Sequence, residues 1–146
     1  MTSIHAIMPA DHDEWRVLWD GYLTFYQSTV ADDVTANTFR RITEDVEIHG
    51  AIARDDDGRA IGFVHWLTHP ATWSRAPYCY LEDLFVAQDV RGAGAGRALI
   101  AHVRSWAEQR GSAKVYWITQ DGNATARRLY DKVATHTGFT HYQIDL

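Results

Sequence analysis

The chain is short of cysteine and proline, has no excess of positive charge, and lacks any long hydrophobic run. Its one cysteine, Cys79, excludes an intramolecular disulfide framework and suits a reducing compartment. Cys79 sits inside an apolar run, where a buried, inert thiol is expected rather than a nucleophile. Lys and Arg number 14 against 19 Asp and Glu, a formal net charge of −5. That balance argues against a nucleic-acid partner and is compatible with a cationic substrate. No apolar stretch approaches the ~20 residues of a membrane-spanning helix. The opening stretch MTSIHAIMPADHDEW lacks the basic and apolar segments of a signal peptide. A cytoplasmic protein without membrane partners is the expectation.

What is present is an ordinary globular composition at a length, 146 residues, that suits a single domain spanning 1–146 with a real core. Residues 2–8 read as a first strand, ended by Pro9. Asp11 with Glu14 three positions on predicts a capping-box-like helix start. Trp15, Leu18, Trp19, Tyr22 and Tyr26 then share one helical face. Asp32 and Asp33 precede a second helix, expected over residues 35–46. Strands follow at 48–54 and 59–67, joined by the hairpin turn Asp55-Asp56-Asp57-Gly58. This aspartate cluster lacks the spacing and terminal Glu of a calcium loop. His65 and His69 lack a third ligand at a useful spacing, so no metal is expected and structural or substrate-lining roles are.

The informative stretch is Tyr78 to Leu99, YCYLEDLFVAQDVRGAGAGRAL. An apolar strand, Tyr78–Val86, carries two acids, Glu82 and Asp83. A glycine-rich turn follows, and then helical spacing over 95–110. Strand, glycine turn and helix aim bare N–H groups and a helix N-terminus at an anion, usually a phosphate. The Walker pattern fails, because Arg97-Ala98 stands where Lys-Ser/Thr is needed. The dinucleotide pattern fails too, with Arg97 or Leu99 at its third glycine. Arg/Gln-x-x-Gly-x-Gly/Ala does fit, on Arg91, Gly94 and Gly96. A strand over 113–119 completes a parallel βαβ unit. Downstream stand Asn123-Ala-Thr-Ala126-Arg-Arg-Leu129-Tyr130 and Gly138-Phe139, with a helix expected over 123–136 and a closing strand over 139–146.

These two motifs, in this order, resemble those of the GCN5-related N-acetyltransferases, the GNAT family. With YLEDLFV and the seven-residue segment DKVATHT between Tyr130 and Gly138, the chain looks most like the branch of yeast histone/polyamine and spermidine/spermine acetyltransferases. The resemblance implies an α/β fold: a mixed, mostly antiparallel central sheet with a parallel, splayed strand pair and helices on both faces. It implies acetyl-CoA as co-substrate, held by the backbone of Leu84, Phe85 and Val86, by the loop Arg91, Gly92, Ala93, Gly94, Ala95, Gly96 and Arg97, and by Asn123 and Tyr130. It assigns Glu82 as the base that takes the amine proton, with Asp83 or a structural pair as the alternative, and Tyr130 as the acid for the departing thiolate. The first helix and its loop wall the acceptor pocket in the family, which places Tyr22 or Tyr26 near substrate, and Asp32 and Asp33 offer an acidic rim for a cationic amine. Their plainer readings are core aromatics and a solvated helix start. The expected activity is transfer of an acetyl group to a primary amine of a small molecule, polyamine-like by preference. An amino acid, a protein lysine or N-terminus, an amine antibiotic, or a coenzyme A-binding module without turnover are the alternatives. A homodimer is expected from the resemblance alone.

Overall fold

Five strands, of which the third and fourth are rich in branched and aromatic residues, assemble one mixed sheet in a computed structural model that describes residues 1–146. Its strands are β1 (Ser3–Ala6), β2 (His49–Arg54), β3 (Ala60–His69), β4 (Tyr78–Val86) and β5 (Lys114–Tyr116), side by side in chain order. Helices α1 (His12–Phe25) and α2 (Asp32–Glu44) lie between β1 and β2, α3 (Ala95–Gln109) between β4 and β5, and α4 (Ala124–Val133) after β5. The first three pairings are antiparallel. Only β4 and β5 run parallel, because the α3 crossover returns the chain in the same direction. The sheet and α1–α3 belong to one compact unit, Met1–Tyr116, and α4 to a second, Trp117–Leu146.

β3 is buried on both faces, and its alternation divides the core of the first unit. Phe63 turns toward α1, 6.2 Å from the Trp19 ring. Trp66, of opposite parity, meets Trp106 of α3 at 5.5 Å. The core on the α1 side gathers Ile7, Trp15, Leu18, Trp19, Phe39, Ile42 and Phe63. Helices therefore cover both faces of this sheet, as the resemblance implied.

Several local expectations change. Asp11 does not cap α1 with its side chain. It is buried, accepts from the Met8 N–H at 2.8 Å and pairs with Arg54 at 2.7 Å, and Arg54 also holds Glu14 at 2.9 Å. A charged knot at the end of β2 has taken the carboxylates that a local cap would use, and it holds the Glu14 carboxyl below its usual value. α2 begins at Asp32 rather than residue 35, so Asp32 and Asp33 occupy its first turn, where the helix dipole favours acids. The Asp55–Gly58 turn forms as expected: Asp55 accepts from the amides of Asp57 and Arg59, and Gly58 adopts φ 82°.

The largest difference lies at the end of the chain. α4 stops at Val133, and Ala134 is extended. No strand forms over 139–146, and Phe139, Tyr142 and Ile144 are exposed. Apolar alternation says which side chains suit a strand, but it supplies no neighbouring edge, and a strand exists only when its N–H and C=O groups find one. β5 likewise pairs only through Tyr116 instead of reaching residue 119.

Gly62 lies where β3 passes closest to β4: a Cβ there would stand 2.7 Å from the Phe85 carbonyl oxygen. Gly62→Ala is expected to destabilise the protein by about 2 kcal/mol, as overpacking against backbone does. Urea unfolding checks this as a lower midpoint at unchanged slope.

Candidate active site

The β3–β4 ladder slips by one residue at the two acids. His65 pairs with Asp83 and Trp66 with Leu81, which leaves Glu82 as an extra, unpaired residue in a β-bulge. Strict alternation would put Glu82 and Asp83 on opposite faces; the bulge relaxes it. The Asp83 Oδ1 accepts from the Tyr22 hydroxyl at 2.6 Å, and its Oδ2 lies 2.9 Å from His65 Nδ1. His65 Nε2 in turn receives the Trp15 indole N–H at 3.0 Å. An indole nitrogen only donates, so Nε2 accepts and the single ring proton, assigned from these partners, sits on Nδ1. Both Asp83 oxygens are thus acceptors.

Glu82 makes no hydrogen bond or ion pair of its own, and its side chain reaches solvent. Burial by the groups packed round it lifts its carboxyl above the ordinary value. The Asp83 charge adds to this, and positive charge at His65 or Arg41 would oppose it. Of the two acids, one is bound on both oxygens and the other is free for chemistry. Tyr22, expected at the substrate, spends its hydroxyl on Asp83. Burial and that carboxylate push the phenol far above its usual range, so it remains a donor. Tyr26, just past α1, packs edge-on against Tyr22 at 5.1 Å. Asp32 is exposed but bonded to Arg16 at 3.1 Å, so it is not a free acidic rim.

On its other edge β4 is open. Parallel pairing with β5 ends at Tyr80, a third of the way along the strand. The Ala87 N–H donates to the Ile61 carbonyl at 2.8 Å, which sets the alternation of hydrogen-bonded pairs along β3 and β4. The amide and carbonyl of Phe85 consequently face β3, while those of Leu84 and Val86 face the open edge. Phe85 is thereby removed from the expected backbone contacts: its peptide groups are used by β3 and its ring lies in the core. Val86 shows the availability of its carbonyl by accepting from Arg91 Nε at 3.2 Å.

The glycine turn has the geometry that an anion site needs. Gly92 and Gly94 adopt φ 91° and 86°, and a Cβ at either would meet nothing within 4 Å. Gly94 caps α3, whose first intrahelical bond runs from the Ala98 N–H to its carbonyl at 3.0 Å. The amides of Ala95, Gly96 and Arg97, in the first turn, have no intrahelical acceptor. Arg97 is exposed. Arg91 is braced by Val86 and by the Phe25 ring, 5.0 Å from its guanidinium, with its Nη groups unbonded. These features fit a pantetheine chain along the β4 edge and a pyrophosphate at the turn.

In the second unit, Asn123 caps α4, accepting from the Ala126 N–H at 3.5 Å. Its amide lies 3.5 Å from the Thr119 hydroxyl. Tyr130, two turns on, meets the Trp117 ring edge-on at 5.4 Å. A groove of about 730 Å³ beside α1 involves Phe85 but no other expected site residue. The sequence reading missed the Trp15–His65–Asp83 chain. A histidine and an aspartate in consecutive strands were visible, but their register depends on the bulge, which leaves no side-chain signature.

The model of the family described as "Acetyltransferase (GNAT) family" matches residues 10–134. The D-amino-acid N-acetyltransferase HPA3 of Saccharomyces cerevisiae is 39% identical over 96% of this chain and 88% of its own length. Among solved structures, a ribosomal-protein-alanine N-acetyltransferase from Brucella melitensis biovar Abortus 2308 superposes with TM-score 0.84 at 23% identity, over 100% of both chains. AAC(6')-Iy, in complex with the bisubstrate analogue CoA-S-monomethyl-acetylneamine, superposes with TM-score 0.86 at 21% identity, covering 100% of this chain and 99% of its own. At these identities the two structures speak for the fold.

Replacing Gly94 by valine puts a β-branched residue at a positive φ in the mouth of the turn. Gly94→Val is expected to weaken acetyl-CoA binding at least tenfold in calorimetric titration. Unchanged affinity would remove the turn from the binding site.

Proposed function

The chain belongs to the acetyltransferase (GNAT) family and is an acetyl-CoA-dependent N-acetyltransferase; we propose that it acetylates the primary amine of a small molecule by direct attack, with Glu82 as base and Tyr130 as acid. The observation that carries this reading is the bulge. It presents Glu82 as an unbonded carboxylate of raised basicity on the strand whose open edge and following glycine turn suit the co-substrate. The co-substrate supplies the acetyl thioester. Glu82 takes the proton that an alkylamine, with a pKa near ~10, must lose to attack. The outward-facing amides of Leu84 and Val86 are the available donors for the carbonyl oxygen as it gains charge. A C–N bond forms as the C–S bond breaks, and the Tyr130 hydroxyl protonates the leaving sulfur. Asn123 holds the start of the helix that carries Tyr130. Residues 1–146 act together as one acetyltransferase domain in this reading.

Two acceptor classes remain in contention. A polyamine-like amine suits the acidic composition. A free amino acid is favoured here, because Arg16 already occupies Asp32 and because the 39%-identical yeast relative is named for D-amino acids. A homodimer forms part of the proposal, supported by the exposed Phe139, Tyr142 and Ile144 in a segment without ladder partners. Sedimentation is expected to show a dimer that Tyr142→Asp with Ile144→Asp disperses to monomer.

Acetyl-CoA-dependent thiol release over a panel of D- and L-amino acids, spermidine, spermine, a histone-tail peptide and an aminoglycoside tests the activity. Cys79 will not contaminate the signal, being fully buried with its thiol pushed up to about 11. Turnover is expected with amino acids; a preference for spermidine would restore the polyamine acceptor. No turnover across the panel, with acetyl-CoA bound, would favour a non-catalytic module. Tyr130→Phe is expected to lower kcat about a hundredfold, the size of a general-acid contribution, at unchanged acetyl-CoA affinity. An unchanged rate would remove Tyr130 as the acid.

A further inference from the structure

Asp83 is half-buried, bonded on both oxygens and next in sequence to the free carboxylate Glu82, yet the proposed chemistry gives it no part. Holding an anion this firmly takes three side chains from two other elements: Trp15 and Tyr22 of α1 and His65 of β3. Trp15 and His65 are fully buried, at 0% and 1% exposure. The Trp15 N–H occupies Nε2, so the imidazole proton stays on Nδ1 and points at Asp83. In that tautomer His65 brings a donor to Asp83 without bringing a positive charge to Glu82. Tyr22 supplies the second donor, again uncharged. Both donors bond the Asp83 carboxylate, and neither brings a positive charge to it.

We propose that Asp83 is a positioning residue for Glu82: the Trp15–His65–Asp83–Tyr22 chain pins a fixed negative charge beside the Glu82 carboxylate and so makes Glu82 a stronger base for the acceptor amine. The inference rests on the reading of Glu82 as base. The titratable groups that face Glu82 are Asp83 and Tyr80 on β4, His65 on β3, Tyr22 on α1 and Arg41 on α2. Tyr80 and Tyr22 are held protonated by burial first and by nearby carboxylates second, so they add no charge. Arg41, which also pairs with Glu47 at 3.1 Å, is the one fixed positive charge in the set. Burial of Glu82 acts in the same direction as Asp83, and together they outweigh Arg41 even with the opposing pull that a charged His65 ring would add. The bulge is what makes the device possible, since in a regular strand the two acids would stand on opposite faces.

Asp83→Asn separates charge from structure. The asparagine Oδ1 can accept from His65 Nδ1–H, and its Nδ2 can donate to the Tyr22 oxygen, whose hydroxyl rotates. The bonding pattern survives and only the charge goes. The experiment follows the acidic limb of kcat/KM against pH, together with a carbon-13 titration of the Glu82 carboxyl. Because a base works only when deprotonated, activity falls as pH drops through the Glu82 pKa. Removing a neighbouring anion is expected to lower that pKa, moving limb and titration midpoint down by about one pH unit. Tyr22→Phe removes a bond but leaves both charges, and is expected to leave the midpoint within about 0.3 unit of its original value, less than the charge removal produces. A midpoint unmoved by Asp83→Asn overturns the proposal. So does an equal shift in Tyr22→Phe, which would assign the effect to structure. Should Asp83→Asn fail to fold, Asp83→Ser serves, since it removes the same charge and keeps a hydroxyl that can accept from His65 Nδ1–H. A Glu82 midpoint unmoved in that variant is then the overturning result. Glu82→Gln keeps the two readings apart: if it retains the acidic limb at full rate, Glu82 is not the base and that reading fails. If it abolishes the limb while Asp83→Asn leaves it in place, only the role of Asp83 fails.

Discussion

The bond from His65 to Asp83, across the slipped register of β3 and β4, is the contact on which the site depends. It fixes which of two adjacent acids is held and which is free. It also couples the hairpin to α1, because Trp15 on the far side of the imidazole and Tyr22 on the far side of the carboxylate belong to that helix. A buried polar chain of this kind is stable only when every member is satisfied. Here each donor meets an acceptor, and the tautomer follows from the one group in the chain that cannot accept.

The same strand serves two sides by simple parity. Groups of β4 that face β3 hold the hairpin; those at Leu84 and Val86 are turned to the edge that β5 leaves uncovered after Tyr80. The α3 crossover then sets a helix start, capped by Gly94, immediately after this strand. An open strand edge followed by unsatisfied amides is a costly arrangement in a protein with nothing to bind. Groups of this kind suit a ligand that is itself rich in acceptors and negative charge.

Much of this was legible from residue types. The glycine spacing 91–96 marks a loop that needs positive φ, and Gly92 and Gly94 adopt it. Asp-Gly at 57–58 marks a turn, and an apolar run marks β4 to the residue. These features are local, set by sterics within a few residues. The family could be read from them and from the Asn123–Tyr130 motif.

What local chemistry could not determine were choices between partners. Asp11 had a helix start at hand and took Arg54 instead, and the Tyr22 hydroxyl, on a helix whose sequence suggested a core stripe, took Asp83. Residues 139–146 have the alternation of a strand without its ladder, because a ladder is a property of two edges. The roles of Glu82 and Asp83 are of the same kind. Their sequence says that two carboxylates are adjacent, and strict alternation would have separated them. Only the one-residue slip against β3, a matter of register between strands joined through a loop, relaxed that separation and left Glu82 as the acid without a partner.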